Sequence, residues 1–177
     1  MRVVAGRFGG RRLSAPPGRG TRPTSDRVRE ALFSILGPIE GARVLDLYAG
    51  SGALGIEALS RGAASAVFVE RDARTAAVIR SNLDALGAEG DVRRAEALAA
   101  LRDARERGET YDLVLCDPPY RLAPDLGRSL GEALTPVLAS EARVVTESDR
   151  RTPLDLHALS LTDERRYGDT LIRIHVP

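Results

Sequence analysis

Apolar positions along this chain recur with two alternating periods. Val28, Ala31, Leu32, Ile35 and Leu36 fall three and four residues apart, the spacing of one helical face, and Gly37-Pro38 closes that stretch. Ser25 or Thr24 is placed to cap its start. Short runs bounded by turn residues follow: Val44-Leu45-Asp46-Leu47, Ala66-Val67-Phe68-Val69, Asp91-Val92-Arg93-Arg94, Tyr111 to Cys116, and Ala142-Arg143-Val144-Val145-Thr146. Between them lie helix-period segments from Ile56 to Arg61, Ala73 to Leu86, Glu96 to Arg107 and Asp125 to Leu138, the middle two ended by Gly87 and Gly108. Strands alternating with such helices predict βα units and a mostly parallel α/β sheet. His157 to Arg166 and Asp169 to Val176, joined through Tyr167-Gly168, read as an antiparallel pair closing the sheet.

The N-terminus follows neither period. Arg2-Val3-Val4-Ala5 and Arg11-Arg12-Leu13-Ser14 flank a region with Gly6, Gly9 and Gly10, which predicts a β-hairpin with Phe8 exposed near its tip. Ala15 to Gly20 is an irregular linker. The organisation expected is a basic hairpin and linker over residues 1–20 and one main domain over 21–177, since 177 residues suit a single core.

Charge sharpens that division. The net value of +1 conceals eight arginines against Asp26 and Glu30 in the first 30 residues. That end therefore carries an excess of six positive charges, and the remainder is negative by five. A basic end on an acidic body directs any polyanion contact to Arg2, Arg7, Arg11, Arg12, Arg19 and Arg22. Every basic residue is arginine, which the nucleotide composition of the genome explains better than any functional account. The single cysteine, Cys116, rules out an intramolecular disulfide and reads as a core residue. His157 and His175 have no ligand-like partners, so no metal is expected. No apolar run reaches membrane-spanning length and none follows Met1, so a cytoplasmic protein without a membrane partner is expected.

Candidate chemistry gathers at strand ends. Gly50, Gly52 and Gly55 follow the first strand in the spacing that lets a backbone turn tightly at a helix N-terminus and approach a ligand. Asp46 lies four residues before Gly50; an acid there would repel a pyrophosphate but suits an amino-acid ammonium, which favours S-adenosylmethionine over a dinucleotide. Glu70, Glu96 and Asp117 follow at intervals of 24, 26 and 21 residues, each one strand plus one helix. The four acids are thus expected along the carboxyl edge of the sheet, where open α/β folds bind ligands. Glu70 fits a ribose diol, and Glu96 or the backbone amide of Ala97 fits an adenine amino group. With Thr24, Tyr48, Ser51 and Arg71 these residues make up the candidate cofactor set, to which Asp117 also belongs. Asp117-Pro118-Pro119-Tyr120 completes the site: two prolines hold an acid and an aromatic ring in extended geometry, equipment for gripping a planar amine.

The chain resembles the RsmD-type methyltransferases over nearly its whole length. The resemblance rests on Val3-Val4-Ala5-Gly6 with Gly10-Arg11-Arg12-Leu13, on Arg22-Pro23-Thr24-Ser25-Asp26-Arg27-Val28-Arg29-Glu30, on the glycine turn with Tyr48, on Glu70, on Asp117-Pro118-Pro119-Tyr120 and on Tyr167-Gly168-Asp169. Glu96 departs from the aspartate expected there. The resemblance implies a Rossmann-like fold with seven strands in the order 3-2-1-4-5-7-6 and helices on both faces. It further implies S-adenosylmethionine as cofactor and methylation of the exocyclic N2 of a guanine in 16S rRNA, within the assembled small ribosomal subunit. Amine methylation of adenine or cytosine in DNA shares the catalytic turn and stays open at this point. A nicotinamide-dependent oxidoreductase leaves Asp46 and the Asp-Pro-Pro-Tyr turn unexplained, and a non-catalytic RNA-binding module has no use for a complete cofactor edge.

Overall fold

A computed structural model describes residues 1–16, 25–119 and 123–177. In chain order it contains α1 (Asp26–Leu36), β1 (Arg43–Leu47), α2 (Ala53–Ser60), β2 (Ser65–Glu70), α3 (Ala73–Leu86), β3 (Asp91–Arg94), α4 (Ala97–Glu106) and β4 (Tyr111–Cys116). These are followed by α5 (Ala123–Leu134), a 3-10 turn (Thr135–Val137), β5 (Leu138–Asp149), β6 (Ser160–Tyr167) and β7 (Thr170–Val176). The seven strands form one sheet in the order β3-β2-β1-β4-β5-β7-β6. β1 to β5 pair in parallel, and β7 joins β5 and β6 antiparallel.

Alternation along the strands builds two apolar layers. Val44, Phe68, Leu113, Leu115, Val145 and Ile172 pack toward one side with Leu32 and Phe33 of α1, Ile56 of α2 and Ile79 of α3. Leu45, Val69, Val114, Cys116 and Val144 pack toward the other with Leu101 of α4 and Leu130 of α5. Cys116 is 1% exposed, and burial raises its thiol well above the ordinary range, so it is a core residue as expected. Among the described residues no helix is long and apolar enough to cross a membrane, and no cluster of three metal-ligating side chains occurs.

Several boundaries differ from the sequence expectation, each for a local reason. α2 begins at Ala53, not Ile56, because Gly52 adopts a left-handed conformation and starts the helix at once. Ser25 caps α1 through its side chain, accepting the Val28 N–H. α5 stops at Leu134 ahead of Pro136, which cannot donate to a continuing helix. β5 extends well past Thr146, because the polar residues Glu147, Ser148 and Asp149 pair with Ile172, Leu171 and Thr170 of β7. β6 starts at Ser160, after a turn that includes His157.

The N-terminal segment departs furthest. It crosses itself as expected, with Val3 N–H donating to Arg11 O at 2.9 Å and Gly10 N–H to Val3 O at 2.9 Å, but only the Arg2–Arg12 pair forms a bridge. Phe8 is buried, not exposed at a tip, and joins Val3 and Leu13 in the main core. The reason is a set of buried acceptors on α2: the Glu57 carboxylate accepts Val4 N–H at 2.7 Å and Ala5 N–H at 3.0 Å, and Ser60 Oγ accepts Phe8 N–H at 3.0 Å. On α3 the Asn82 amide accepts Ser14 N–H and donates to both Ser14 O and Ser51 O. Backbone donors that would otherwise be stranded at the surface of the core thus find partners in helix side chains.

Candidate active site

The site lies along the carboxyl ends of β1, β2, β4 and β5. The last parallel pairs are Leu47 with Val69, Leu47 with Cys116, and Cys116 with Thr146. One residue further, Tyr48, Glu70, Asp117 and Glu147 stand at one level across the edge. Asp46 sits two residues below it.

That step decides the state of Asp46, which is not on the open edge as expected. It is 2% exposed, and its Oδ2 accepts the Gly55 N–H at 2.9 Å in the first turn of α2. Burial pushes its carboxyl up to about 7, against the lowering effect of the Gly55 N–H and with a further rise from Glu70. Gly55 must be a glycine for packing: a Cβ there would lie 2.4 Å from the Phe68 ring and 3.0 Å from Asp46 Oδ2. Gly52 has φ of 78°, and a Cβ there would lie 3.0 Å from the Ile79 side chain. Its lack of a side chain therefore serves the turn and the core, and a bulky replacement would damage folding before cofactor approach. Glu70 also holds backbone, accepting Gly50 N–H at 3.1 Å through one oxygen and Asp72 N–H at 2.9 Å through the other. The remaining lone pairs of that carboxylate are what a diol would meet.

Tyr48 is the one non-glycine residue with positive φ among those described, at 60°. Its position after β1 would point it toward α1–α3, yet it packs against the α4–α5 layer. The left-handed backbone turns the ring over the edge, a conformation that costs of order 1–3 kcal/mol and that surrounding structure must hold. The ring lines a cleft of about 160 Å³ together with Arg71, Glu96, Ala97, Leu98, Pro119 and Leu126. Tyr48, Arg71, Glu96 and Ala97 of the predicted cofactor set thus converge. The Glu96 side chain is exposed and lies 3.7 Å from Arg71 Nη1. Burial raises the Tyr48 hydroxyl above its usual range, so it stays protonated.

Asp117 follows β4 directly, and burial raises its carboxyl well above the ordinary value, with Glu147 and then Asp46 adding to the rise. Pro118 is buried and Pro119 half-buried beside it. Of the remaining expected site residues, Tyr120, Thr24, Arg19 and Arg22 lie outside the described residues. Ser51 is half-buried in the glycine turn, its carbonyl bound to Asn82. Arg7 and Arg12 are exposed, Arg7 lying over the Phe8 ring. Arg11 Nη2 donates to Ala85 O, and Arg2 pairs with Asp26 at 3.1 Å. Arg2 and Arg12 face an open cavity of about 660 Å³, together with Met1, Gly10, Leu13 and Asp26.

Sequence reasoning missed Glu147, the wall residues Leu98 and Leu126, and the arm anchors Glu57 and Asn82. Glu147 follows the fifth apolar run much as Asp117 follows the fourth, and extending the strand-end rule by one unit would have found it.

The family model described as conserved hypothetical protein 95 matches residues 1–176. The chain belongs to this family, the RsmD-type family. A putative rRNA methyltransferase YlbH of Bacillus subtilis is 38% identical over 185 residues, covering 99% of this chain and 98% of the relative. The ribosomal RNA small subunit methyltransferase D of Escherichia coli is 43% identical over 122 residues, 68% of this chain and 61% of that protein. Among solved structures, a putative methyltransferase yhhF from Escherichia coli superposes with a TM-score of 0.85 at 37% identity, covering 99% of this chain and 97% of that one. The fold is therefore the Rossmann-like fold of S-adenosylmethionine-dependent methyltransferases, with the strand order that the family resemblance implied.

Proposed function

We propose that this protein of the RsmD-type family transfers a methyl group from S-adenosylmethionine to the exocyclic N2 of a guanine in 16S rRNA of the small ribosomal subunit. The observation that carries the reading is the placement of Asp117, half-buried and with its carboxyl raised by desolvation, on a proline-stiffened turn that also walls the cleft of Tyr48, Arg71 and Glu96. Residues for an adenosine and residues for an amine thereby meet at Pro119. The relatives named as rRNA methyltransferases support the substrate class.

The residues present fit the cofactor. Glu70 would receive the ribose hydroxyls, the cleft beside Tyr48 the adenine ring, and the Gly50-Ser51-Gly52 turn the amino-acid end. S-adenosylmethionine supplies an electrophilic methyl on a sulfonium. The chain has to make the guanine amine a nucleophile, since its lone pair is delocalised into the purine. Asp117 and the carbonyl of Pro118 accept the two N–H bonds and favour a pyramidal nitrogen, while Tyr120 stacks on the base. Orienting two reactants in this way can be worth roughly 7–11 kcal/mol. Extruding a paired base costs a few kcal/mol, less for a loop guanine.

The test is methylation, with labelled cofactor, of small-subunit particles and in parallel of genomic DNA, each followed by digestion to nucleosides. N2-methylguanosine in the 16S fraction is the expected product. Label confined to N6-methyladenine or N4-methylcytosine in DNA would overturn the reading.

A further inference from the structure

The chemistry proposed above uses Asp117 and assigns nothing to its neighbour. β5 runs parallel to β4 with Leu115 beside Val145 and Cys116 beside Thr146, so Asp117 and Glu147 follow side by side. Alternation places both toward the layer that holds Leu115 and Val145. Glu147 is 5% exposed, inside a strand end of otherwise polar sequence. Asp46 approaches the same region from β1 and Glu70 from β2, and the Cys116 thiol lies on the opposite face of β4. Across Ile172 of β7 stands Arg165 of β6, exposed and bound to Asp163 at 3.1 Å. The helices on this side carry Arg29 and Glu57, which lie 3.8 Å apart and hold the N-terminal segment.

Two carboxyls set side by side in a dry setting do not ionise independently; the first charge opposes the second, and the pair titrates as a unit. We propose that Glu147 is a positioning residue for methyl transfer: its carboxylate, level with Asp117 on the neighbouring strand, opposes ionisation of Asp117 and keeps it basic enough to take the proton that the amine releases. The inference rests on the reading of Asp117 as acceptor of the amine. In the step itself the nitrogen lone pair forms the N–C bond and the S–C bond breaks with its electrons going to sulfur. The resulting ammonium gives one N–H proton to Asp117. Asp117 then passes that proton to water, and both carboxylates are again ionised for the next turnover. The upward shift of the Asp117 carboxyl by Glu147 has the direction this requires.

The experiment is a pH profile of single-turnover methylation on small-subunit particles for wild type, Glu147→Gln and Glu147→Asp. S-adenosylhomocysteine titration serves as the check on folding. Glu147→Gln removes the opposing charge, so the acid limb moves toward lower pH by about one unit or more, and the plateau rate falls with KM little changed. Glu147→Asp retains the charge and restores much of the wild-type limb. An unmoved limb in a folded Gln variant overturns the inference, whatever its rate. If the Gln variant does not fold, carbon-13 carboxyl titration of wild-type protein decides the matter: two coupled carboxyls with separated midpoints support the pair, and two independent midpoints in the ordinary range overturn it. Wild-type protein that forms no N2-methylguanosine would refute the functional reading, and the carboxyl titration would still judge the pair.

Discussion

The acids of the glycine-turn side and those of the β4–β5 side are put to different uses. Asp46, Glu70 and Glu57 hold backbone N–H groups: Gly55, then Gly50 and Asp72, then Val4 and Ala5. Asp117 and Glu147 stand level with each other, and the strongest electrostatic influence on Asp117 after burial is its neighbour's like charge. One group of carboxylates fixes the shape of loops, and in the other Asp117 keeps its proton affinity high. The difference teaches that an acid at a strand end is identified by its level relative to its neighbours and by what it already accepts, not by its position in sequence alone.

The largest test of that contrast is Asp117→Ala. Turnover is expected to fall by roughly 10²–10⁴, the range for a positioned acid or base, with S-adenosylhomocysteine affinity within a few-fold of wild type by calorimetry. A matching loss of cofactor affinity would place Asp117 with the architectural acids. Glu57→Ala comes next, because it strands two backbone donors and leaves Arg29 and Arg61 without the carboxylate they share. Urea unfolding is expected to show a loss of about 3–5 kcal/mol, the cost of breaking a buried ion pair.

Asp46→Asn gives a smaller effect of opposite sign. The folded-state carboxyl sits near 7, above its ordinary 3.8, so its contribution is favourable below the lower value and is lost as pH rises through the higher one. Asparagine can still accept the Gly55 N–H and does not ionise. Thermal unfolding above pH 7 should therefore show a variant more stable than wild type by on the order of 2 kcal/mol, with no gain at pH 4. Replacing Arg7 and Arg12 by Ala is the mildest change. Particle binding should weaken and its salt slope fall by roughly 0.7–0.9 for each phosphate left without its arginine, while stability stays near wild type. An unchanged slope would assign the arm to folding alone.

Much of the sheet was legible because buried strands and amphipathic helices obey short-range periods. The placement of Gly52, Glu70 and Asp117 at strand ends was legible because their residue types are unusual where those periods end. What escaped depends on distant partners. Phe8 reads as the tip of a basic hairpin until Glu57 and Ser60, on a helix far along the chain, supply acceptors that draw its backbone onto α2. Glu147 reads as loop until β7 pairs with it. Asp46 shares the spacing of the other acids but falls inside its strand, which only the register reveals.

The left-handed backbone at Tyr48 sets two selections against each other. Glycine at this position would relieve the conformational strain, so a search for thermostable variants would drift toward it. The same change removes a wall of the cleft, so if the cleft takes the adenine as proposed, a search for tight cofactor retention would hold an aromatic there. Robustness and affinity pull this single codon in opposite directions.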